Sequence, residues 1–531
     1  TGGCQPGADG FCDQDDPDVT MLFVGTNDGG FRMVNADTGV EHWIYYPDEL
    51  LENQQQLREN NAGNHVYGID GTAAAYVKDV DGDGQIEAGD GDLVHLYIGE
   101  RRGGNELFAF DVTPTSAPTS PTGDGNINPV LMFRISGDSG SFSKIGQSWS
   151  RPRVAELLVG VSGNDKVELQ PVVIFGGGYD EAQDSGFGTS AEGNAIYVVD
   201  AITGDCKLVI SDSNPGGCDD NVVVSMDENG DGSSDMSYPI PSDLVVFDSD
   251  GDGDDNRIYF GDMGGQVWRV DLEPALGNKT GIVATVGKLA ELSDRTGGAV
   301  AADERKVFYP PDVVQLRRGE FSDVYNDYDM VLVVTGNRAG PLGTTTTDRV
   351  YALRDGTTGS LPDADGNGIT DTGYPKIGGA LAETDLFDVT AVDDPGASAL
   401  LRSSHGWFFD FTESGEKALA SPVVLAGKLF FTTYLPEGVV SGSSCSLSEG
   451  SGRLYGVDIL TGGALFNWDG VGDGDNLTTT DRHYQLGSGI PSSAVPVFQP
   501  EGVTLLIGGG SIATVDPDVD LPRERTYWYE E

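Results

Sequence analysis

The chain has 531 residues, among them 77 glycines, and its 31 Lys and Arg side chains stand against 85 Asp and Glu side chains, which gives a formal net charge of −54. Binding to nucleic acid or to anionic lipid headgroups depends on Lys and Arg neutralising phosphate, so this charge argues against both kinds of partner. No run approaches the roughly 20 apolar residues that a membrane-spanning helix needs, so no direct membrane insertion is expected.

Residues 1–19 form a polar segment that is rich in Gly and Asp and contains two of the five cysteines. Cys4 and Cys12 are close enough in sequence to pair, as are Cys206 and Cys218 across an Asn-Pro-Gly-Gly turn, which leaves Cys445 alone. No Cys-x-x-Cys spacing indicates a metal site. Two local disulfides and a first residue other than Met predict a processed piece of an exported protein.

Regular structure is predicted to begin at Met21. Residues 21–47 alternate β-rich runs with Asn-Asp-Gly-Gly and Ala-Asp-Thr-Gly turns, a pattern typical of a β-meander. The same pattern returns in six further segments, at residues 93–113, 171–205, 257–272, 330–355, 428–463 and 503–516. Shorter β-rich stretches precede several of them, near residues 70, 148, 241, 309, 420 and 491. Each unit therefore supplies about four strands.

A chain of this length exceeds an ordinary single core unless its architecture repeats a small unit. Seven four-stranded units around an axis predict an all-β fold, a modified seven-bladed β-propeller over residues 20–531. The long stretches between units, at 114–128, 273–305 and 356–403, are predicted to be loop insertions that carry interactions. Within the second of them, residues 283–292 are predicted to include a short helix.

An acidic loop directly precedes the fourth β-rich segment. Its oxygen-bearing side chains occupy positions 1, 3, 5 and 9 of a calcium-loop pattern, a glycine tolerant of a sharp turn occupies position 6, and position 7 would offer a backbone carbonyl. These residues are, in that order, Asp248, Asp250, Asp252, Asn256, Gly253 and Asp254.

Three further loops repeat this spacing, each with Gly at position 6. The first follows the full pattern, with Asp in place of the usual final Glu: Asp79, Asp81, Asp83, Gln85, Glu87 and Asp90. The other two are nine-residue versions: Asp227, Asn229, Asp231, Ser233 and Asp235, then Asp363, Asp365, Asn367, Ile369 and Asp371. Oxygen ligands on flexible loops favour Ca²⁺ over Zn²⁺ and Mg²⁺. The alternative is a solvated acidic turn, and it has most weight at 227–235.

Catalytic motifs are missing from the sequence. It contains no Gly-x-Ser-x-Gly, no Walker-type phosphate loop and no His-Glu-x-x-His. The five histidines, which we interpret as structural or surface residues, are His42, His65, His95, His405 and His483. A non-enzymatic protein is therefore expected.

The sequence resembles the C-terminal domain of PilY-type type IV pilus proteins. The resemblance is carried by the Tyr-Phe-Gly-Asp strand directly after the acidic loop, by residues 22–47, by the series from Ser148 to Gly204, by 406–436, by Cys445 before Gly-Arg-Leu-Tyr-Gly, and by the closing residues 525–531. These features follow the family's order over most of the chain.

The resemblance implies a modified seven-bladed propeller at the tip of a type IV pilus, on the outer surface of a Gram-negative bacterium, after export through the periplasm. It implies minor pilins of the tip complex as partners, a host-cell or abiotic surface as ligand, and calcium in the loop at 248–256 that influences pilus extension, retraction and adhesion. Asn256 stands where the family usually has Asp, so the site would keep an oxygen and lose one charge.

Two other readings compete with a calcium-binding pilus-tip protein. A quinoprotein-like, PQQ-dependent propeller dehydrogenase shares the Ala-x-Thr-Gly turns followed by aromatic strands, but it needs calcium near a central channel, a base and a redox cofactor. A purely structural surface or filament-associated protein predicts no surface ligand at all.

Overall fold

The computed structural model describes most of the chain. The described residues are 20–59, 66–82, 86, 88–115, 127–138, 140–161, 166–184, 188–213, 218, 224–225, 236–275, 281–293, 301–317, 321–361, 370, 374–375, 379–436, 449–471, 476–499 and 502–518. They divide into two compact units. Unit 1 falls within 1–262, 269–287 and 361–371, and unit 2 within 263–268, 288–360 and 372–531.

Four sheets occupy the first part of the chain, and their neighbouring strands are consecutive in sequence. Sheet A contains β1 (Met21–Gly25), β2 (Phe31–Asn35) and β3 (Glu41–Tyr45). Sheet B contains β4 (Ala74–Lys78), β5 (Leu93–Gly99), β6 (Glu106–Asp111) and β7 (Val130–Ser136). Sheet C contains β8 (Arg153–Val161), β9 (Lys166–Gly176), β10 (Ala195–Asp200), β11 (Cys206–Ser211) and β12 (Val224–Ser225). Sheet D contains β13 (Val245–Phe247), β14 (Arg257–Gly261), β15 (Gln266–Pro274) and β16 (Ile282–Glu291).

Three sheets follow in the second part. Sheet E, ordered β17-β18-β19-β21-β20, contains β17 (Asp312–Leu316), β18 (Tyr328–Val334), β19 (Arg349–Asp355), β20 (Phe387–Asp388) and β21 (Gly406–Asp410). Sheet F, ordered β22-β24-β25-β26 with β23 paired to β24, contains β22 (Lys417–Ala418), β23 (Val423–Leu425), β24 (Lys428–Leu435), β25 (Ser451–Asp458) and β26 (His483–Ser488). Sheet G contains β27 (Val495–Gln499), β28 (Gly502–Ile507) and β29 (Ala513–Val515).

Helices are few and short in the described part of the chain. The α-helices are α1 (Asp48–Leu51), α2 (Gln54–Glu59) and α3 (Ala399–Ser403). The 3₁₀ helices are Ala88–Asp90, Arg101–Gly103, Gly140–Phe142, Glu181–Asp184, Ala301–Asp303, Glu383–Asp385, Pro395–Ala397 and Thr479–Arg482. None of the described helices is long and apolar enough to cross a membrane.

The predicted all-β class is confirmed, and every predicted β-rich segment contains strands. The short stretches placed before the units correspond to β4, β8, β13, β17, β23 and β27. The helix predicted at 283–292 is wrong, because Ile282–Glu291 is strand β16. Residues 282–286 alternate between buried and half-buried, and four of these five side chains are β-branched, which suits a strand at the edge of a sheet better than a helix.

Strands in the middle of sheets B and F bury both faces in different hydrophobic clusters. On β6 of unit 1, Phe108 and Phe110 pack with Phe31 of sheet A, whereas Leu107 and Ala109 pack with residues of sheet C. Because successive side chains of a strand point to opposite faces, this alternation places one cluster on each side of sheet B. It explains why such strands read as continuous apolar runs rather than as alternating ones.

Unit 2 repeats this arrangement around sheet F. On β24, Leu429 and Phe431 pack with Trp407 of sheet E, and Phe430 packs with Leu505 of sheet G. Sheets A, B and C of unit 1 and sheets E, F and G of unit 2 therefore share cores with the next sheet along the chain.

Three turns share the pattern Asn/Asp-x-x-Thr-Gly, and each follows a central strand. Asn35, Asp200 and Asp458 each accept, on one side-chain oxygen, the backbone N–H groups of the residues two and three positions later, at 2.9–3.1 Å. The final glycines, Gly39, Gly204 and Gly462, have φ of 69°, 76° and 70°. Only glycine adopts this left-handed conformation without cost, which explains the repeated sequence.

The predicted disulfide between Cys206 and Cys218 is present. Cys206 begins β11 and is buried, so the bridge ties the segment after β11 back to sheet C. The predicted Cys4–Cys12 pair and Cys445 lie outside the described residues.

Candidate metal sites

The acidic loop at residues 248–256, here called the Asp248 loop, connects the antiparallel strands β13 and β14. Phe247 pairs with Arg257, so the loop begins and ends at the same residue pair of the β13–β14 ladder. Asp248, Asp250 and Asp252 each place a carboxylate oxygen within 4.8 Å of the other two. Three of the predicted ligands are therefore brought together, and this acidic group can hold a metal ion.

The carboxylate of Asp248 organises the loop backbone. Its Oδ1 accepts the N–H groups of Asp250 and Gly251 at 3.1 and 2.6 Å, and its Oδ2 accepts that of Gly253 at 2.7 Å. Burial acts to raise the pKa of Asp248, but these backbone donors outweigh it, so the pKa lies below its usual value. A carboxylate that stays ionised, with lone pairs left on both oxygens, suits a hard cation.

Asp254 takes a different position from the other three aspartates. Its side chain is 5% exposed, and its Oδ1 accepts the backbone N–H of Leu158 in β8 at 2.9 Å. Burial raises the pKa of Asp254 to about 6 despite this bond, and the charge of Asp252 contributes. The neighbouring Asp255 accepts the N–H of Glu156 at 3.0 Å. These two residues anchor the loop to β8.

Asn256 closes the loop through its amide oxygen, which accepts the N–H of Ser249 at 3.1 Å. Its own N–H donates to the backbone carbonyl of Asp254 at 2.8 Å, the group predicted to face a cation. A carbonyl oxygen has two lone pairs, so this bond leaves one for a ligand. The donor set therefore fits the predicted ion.

A buried ion network lies directly behind the loop. Asp271 accepts from Arg257 Nε at 3.2 Å, from Arg269 Nε at 2.9 Å and Nη2 at 2.7 Å, and from the N–H of Leu361 at 2.7 Å. All three charged residues are at most 5% exposed. Arg257, the first residue after the loop, is thus held by a buried carboxylate that accepts hydrogen bonds on both oxygens.

The loop that begins at Asp79 brings together a different set than the spacing predicts. Asp79 and Asp81 lie with Asp92, each offering an oxygen within 4.8 Å of the others, whereas Asp90 is not in this group. Asp92 is 1% exposed and accepts the N–H of Val80 at 2.8 Å, and Asp79 accepts that of Gly82 at 2.7 Å. Sequence reasoning missed Asp92, although it stands two residues after Asp90 in an Asp-Gly-Asp run.

The remaining predicted ligands lie outside the described residues. They are Asp83, Gln85 and Glu87 of the loop that begins at Asp79, then Asp227, Asn229, Asp231, Ser233 and Asp235, and Asp363, Asp365, Asn367, Ile369 and Asp371.

A third acidic group was not predicted at all. Glu49 of α1, Glu100 directly after β5 and Glu106 at the start of β6 each place a carboxylate oxygen within 4.8 Å of the other two. The only sequence signal is a pair of glutamates that flank the turn between two apolar strands. We call these three residues the Glu cluster.

No protein-family model matches the chain. A curated relative, the type IV pilus biogenesis factor PilY1 homolog of Xylella fastidiosa (strain Temecula1 / ATCC 700964), is 26% identical over 460 residues, covering 83% of this chain and 26% of the relative. The type IV pilus biogenesis factor PilY1 of Pseudomonas aeruginosa (strain UCBPP-PA14) is 27% identical over 254 residues, covering 47% of this chain and 17% of the relative. The chain therefore spans about a quarter of the length of these curated relatives or less.

The crystal structure of the Pseudomonas aeruginosa PilY1 C-terminal domain overlays on this chain with a TM-score of 0.54 and 18% identity, covering 94% of this chain and 92% of that domain. This likeness confirms the β-propeller fold class, while the count of seven blades stays a prediction. A europium-containing methanol dehydrogenase overlays with a TM-score of 0.38 and 12% identity, which supports no inference. The predicted resemblance to PilY-type C-terminal domains is confirmed by both kinds of comparison.

Proposed function

We propose that this chain, a PilY-type C-terminal domain by its sequence and structural similarity, binds calcium in the Asp248 loop and acts without enzymatic activity in type IV pilus biogenesis. The observation that carries the calcium assignment is the convergence of Asp248, Asp250 and Asp252 in a loop fixed to β8 by its next two carboxylates. The pilus assignment rests on the similarity to type IV pilus biogenesis factors.

The loop residues divide into two roles under this proposal. Asp248, Asp250 and Asp252 would hold the ion, joined by the Asp254 carbonyl and the Asn256 amide oxygen. Bound calcium would neutralise carboxylates that otherwise repel one another. Through the hydrogen bonds of Asp254 and Asp255, the ordered loop would also stabilise β8. Through Arg257 it would stabilise the position of Asp271.

The other candidate loops are proposed as further calcium sites, and the observations that support them differ from loop to loop. Asp79 and Asp81 would bind an ion with Asp92, since these three carboxylates converge. The nine-residue loops at 227–235 and 363–371 are proposed from spacing alone.

The partners and location follow from the resemblance. We expect the domain to work at the pilus tip on the bacterial outer surface, with minor pilins as assembly partners and a host-cell or abiotic surface as ligand. Calcium binding would then bias pilus extension against retraction and influence adhesion.

Calorimetric calcium titration of the chelated chain tests the metal site, with D248N/D252N as the variant and D37N/E192Q as the control. Asp37 and Glu192 are exposed carboxylates outside the predicted loops, so the control makes the same charge change. We expect the variant alone to lose one binding event. At a calcium concentration 100 times Kd, one site stabilises the wild-type fold by about 2.7 kcal/mol. Equal binding by both variants would refute the assignment.

The pilus role is tested with the full-length protein of the source bacterium. Deletion should abolish surface pili if the protein acts in assembly, and D248N/D252N should change the balance of extension and retraction. Normal pili with poor attachment would support adhesion alone and contradict a role in assembly. Normal pili with normal attachment would overturn the proposal.

A further inference from the structure

The Glu cluster joins three separate segments of unit 1. Leu50, the neighbour of Glu49 in α1, is 2% exposed and packs with Phe31 in the core between sheets A and B, so the helix that carries Glu49 is held in place. Glu100 and Glu106 flank the turn from β5 to β6, where the N–H of Glu100 donates to the carbonyl of Glu106 at 3.1 Å. The carboxylates therefore meet because of the fold and not because of sequence spacing.

Two of the three side chains are buried. Glu100 is 1% exposed and Glu106 is 3% exposed, and each keeps a carboxylate oxygen, Oε1 of Glu100 and Oε2 of Glu106, with no hydrogen-bond partner among the described residues. Oε1 of Glu49 is also buried without a partner there. Buried polar atoms are nearly always satisfied, so three oxygens without a donor in one small cluster indicate either a bound cation or a proton shared between the carboxylates.

The remaining oxygens are already used. Glu100 Oε2 accepts the N–H of Glu106 at 3.2 Å, Arg134 Nη2 donates to Glu106 Oε1, and Arg134 Nη1 lies 3.4 Å from Glu49 Oε2. A Cβ on Gly104 would lie 2.1 Å from Glu100 Oε2, so glycine leaves the room that this carboxylate occupies. The backbone at Gly104 thus packs closely against this carboxylate.

The charges do not balance without a further cation. Three carboxylates face one guanidinium, that of Arg134, which leaves two negative charges when all three are ionised. Unpaired buried charge is costly. A divalent cation would neutralise the excess and satisfy the free oxygens together.

We propose that Glu49, Glu100 and Glu106 bind one hard divalent cation, Ca²⁺ or Mg²⁺, at a site separate from the Asp248 loop. Oxygen-only donors select such ions over zinc and copper. The bound ion ties α1 to the β5–β6 turn and so fastens the segment after sheet A to sheet B. The competing occupant is a proton shared between carboxylates.

The test counts ions bound per chain by equilibrium dialysis after chelation, with Ca²⁺ alone and with Mg²⁺ alone, in wild type, E100Q/E106Q, D248N/D252N and the combined variant. We expect E100Q/E106Q to bind one ion fewer than wild type, and the losses of the two variants to add. If the Asp248 loop binds no ion, D248N/D252N will bind as many ions as wild type. The comparison of E100Q/E106Q with wild type still tests the Glu cluster in that case.

Thermal melts supply the second readout. In chelator, E100Q/E106Q should melt higher than wild type, because Glu49 then remains as the one carboxylate that faces Arg134 and the buried excess of negative charge is removed. The shift of its melting temperature on adding the cation should be smaller than that of wild type. An unchanged ion count with a higher melting temperature would identify the shared proton and overturn the proposal. Should E100Q/E106Q fail to fold, E49Q serves, since Glu49 is 30% exposed at its side chain. E49Q should weaken cation binding at the Glu cluster at least tenfold, and an unchanged affinity of the chain for the cation would overturn the proposal.

Discussion

Asp254 and Leu158 are joined by a hydrogen bond of 2.9 Å from the backbone N–H of β8 to the carboxylate of the Asp248 loop. Replacing Asp254 with Ala removes the acceptor and leaves this N–H unpaired, so we expect a loss of about 1–3 kcal/mol in the free energy of unfolding. Asp254→Asn keeps an oxygen acceptor and removes a buried charge, so it should match or exceed wild type. Urea unfolding in chelator at pH 7.5 measures both. Equal midpoints for the two variants would contradict the anchoring role.

Asp271 offers a second test, because it accepts hydrogen bonds from both Arg257 and Arg269 in a buried network. Asp271→Ala should cost about 3–5 kcal/mol, since two guanidinium groups would lose their shared carboxylate. Glu413→Ala is the control: Glu413 lies 3.6 Å from Arg453, its side chain is 54% exposed, and Arg453 keeps Glu416 as a partner. The control should cost less than about 1 kcal/mol. Denaturant unfolding compares them, and similar losses would refute the distinction.

Asp348 should make stability depend on pH in unit 2. It is 1% exposed, its Oδ1 accepts Thr335 Oγ1 at 2.8 Å, and burial raises its pKa to about 6 from an ordinary value of 3.8. The folded state therefore binds more protons than the unfolded state between these values. Stability contributed by this group is present below pH 3.8 and is lost as the pH rises through 6.

The measurement is the difference in the free energy of unfolding between Asp348→Asn and wild type from pH 4 to pH 7. The free energy of unfolding of the variant relative to wild type should rise by up to about 3 kcal/mol over this window, because the variant carries no titrating group at this position. Taking the difference cancels the carboxylates that the two proteins share. A constant difference would show that Asp348 does not titrate in this range.

The three turn glycines form a graded series. A Cβ on Gly39 would meet no atom within 4 Å, whereas one on Gly204 would lie 2.6 Å from the ring of Phe133 and one on Gly462 would lie 2.9 Å from that of Trp407. Gly39→Ala should therefore cost only about 1–2 kcal/mol of backbone strain. The other two should cost about 1–3 kcal/mol more from overpacking. Thermal melts rank them, and adding Phe133→Leu should recover part of the Gly204→Ala loss. Equal losses at all three positions would show that the rings move aside freely.

Much of the fold could be predicted from local sequence. The turn sequences at Asn35 and Asp200 specify the β2–β3 and β10–β11 hairpins through contacts only a few residues apart. The helix predicted at 283–292 failed because its pattern of Val, Ala and Leu is ambiguous alone, and the neighbouring strand β15 decides the outcome. Tertiary pairing overrides such weak propensities.

The candidate sites likewise divide into residues that one local segment brings together and residues that the tertiary structure brings together. Asp248, Asp250 and Asp252 converge as predicted, because all lie in one loop whose glycines permit the turn. Asp92 lies beside Asp79 because Lys78 pairs with Leu93 in the β4–β5 hairpin, a register that the calcium-loop spacing does not include. The Glu cluster could not be found from spacing, since packing brings its three segments together. The sequence predicts a role only for the backbone carbonyl of Asp254. The hydrogen bond from β8 to its side chain depends on the tertiary structure and could not be predicted.

The two-sided burial of sheet B has a consequence for how unit 1 opens and closes. Phe108 and Leu107 are neighbours on β6, yet they serve different cores. Local unfolding of this sheet must expose both cores at once, so its opening is energetically coupled to the sheets before and after it. A chain built in this way loses structure cooperatively, sheet with sheet, instead of fraying one sheet at a time.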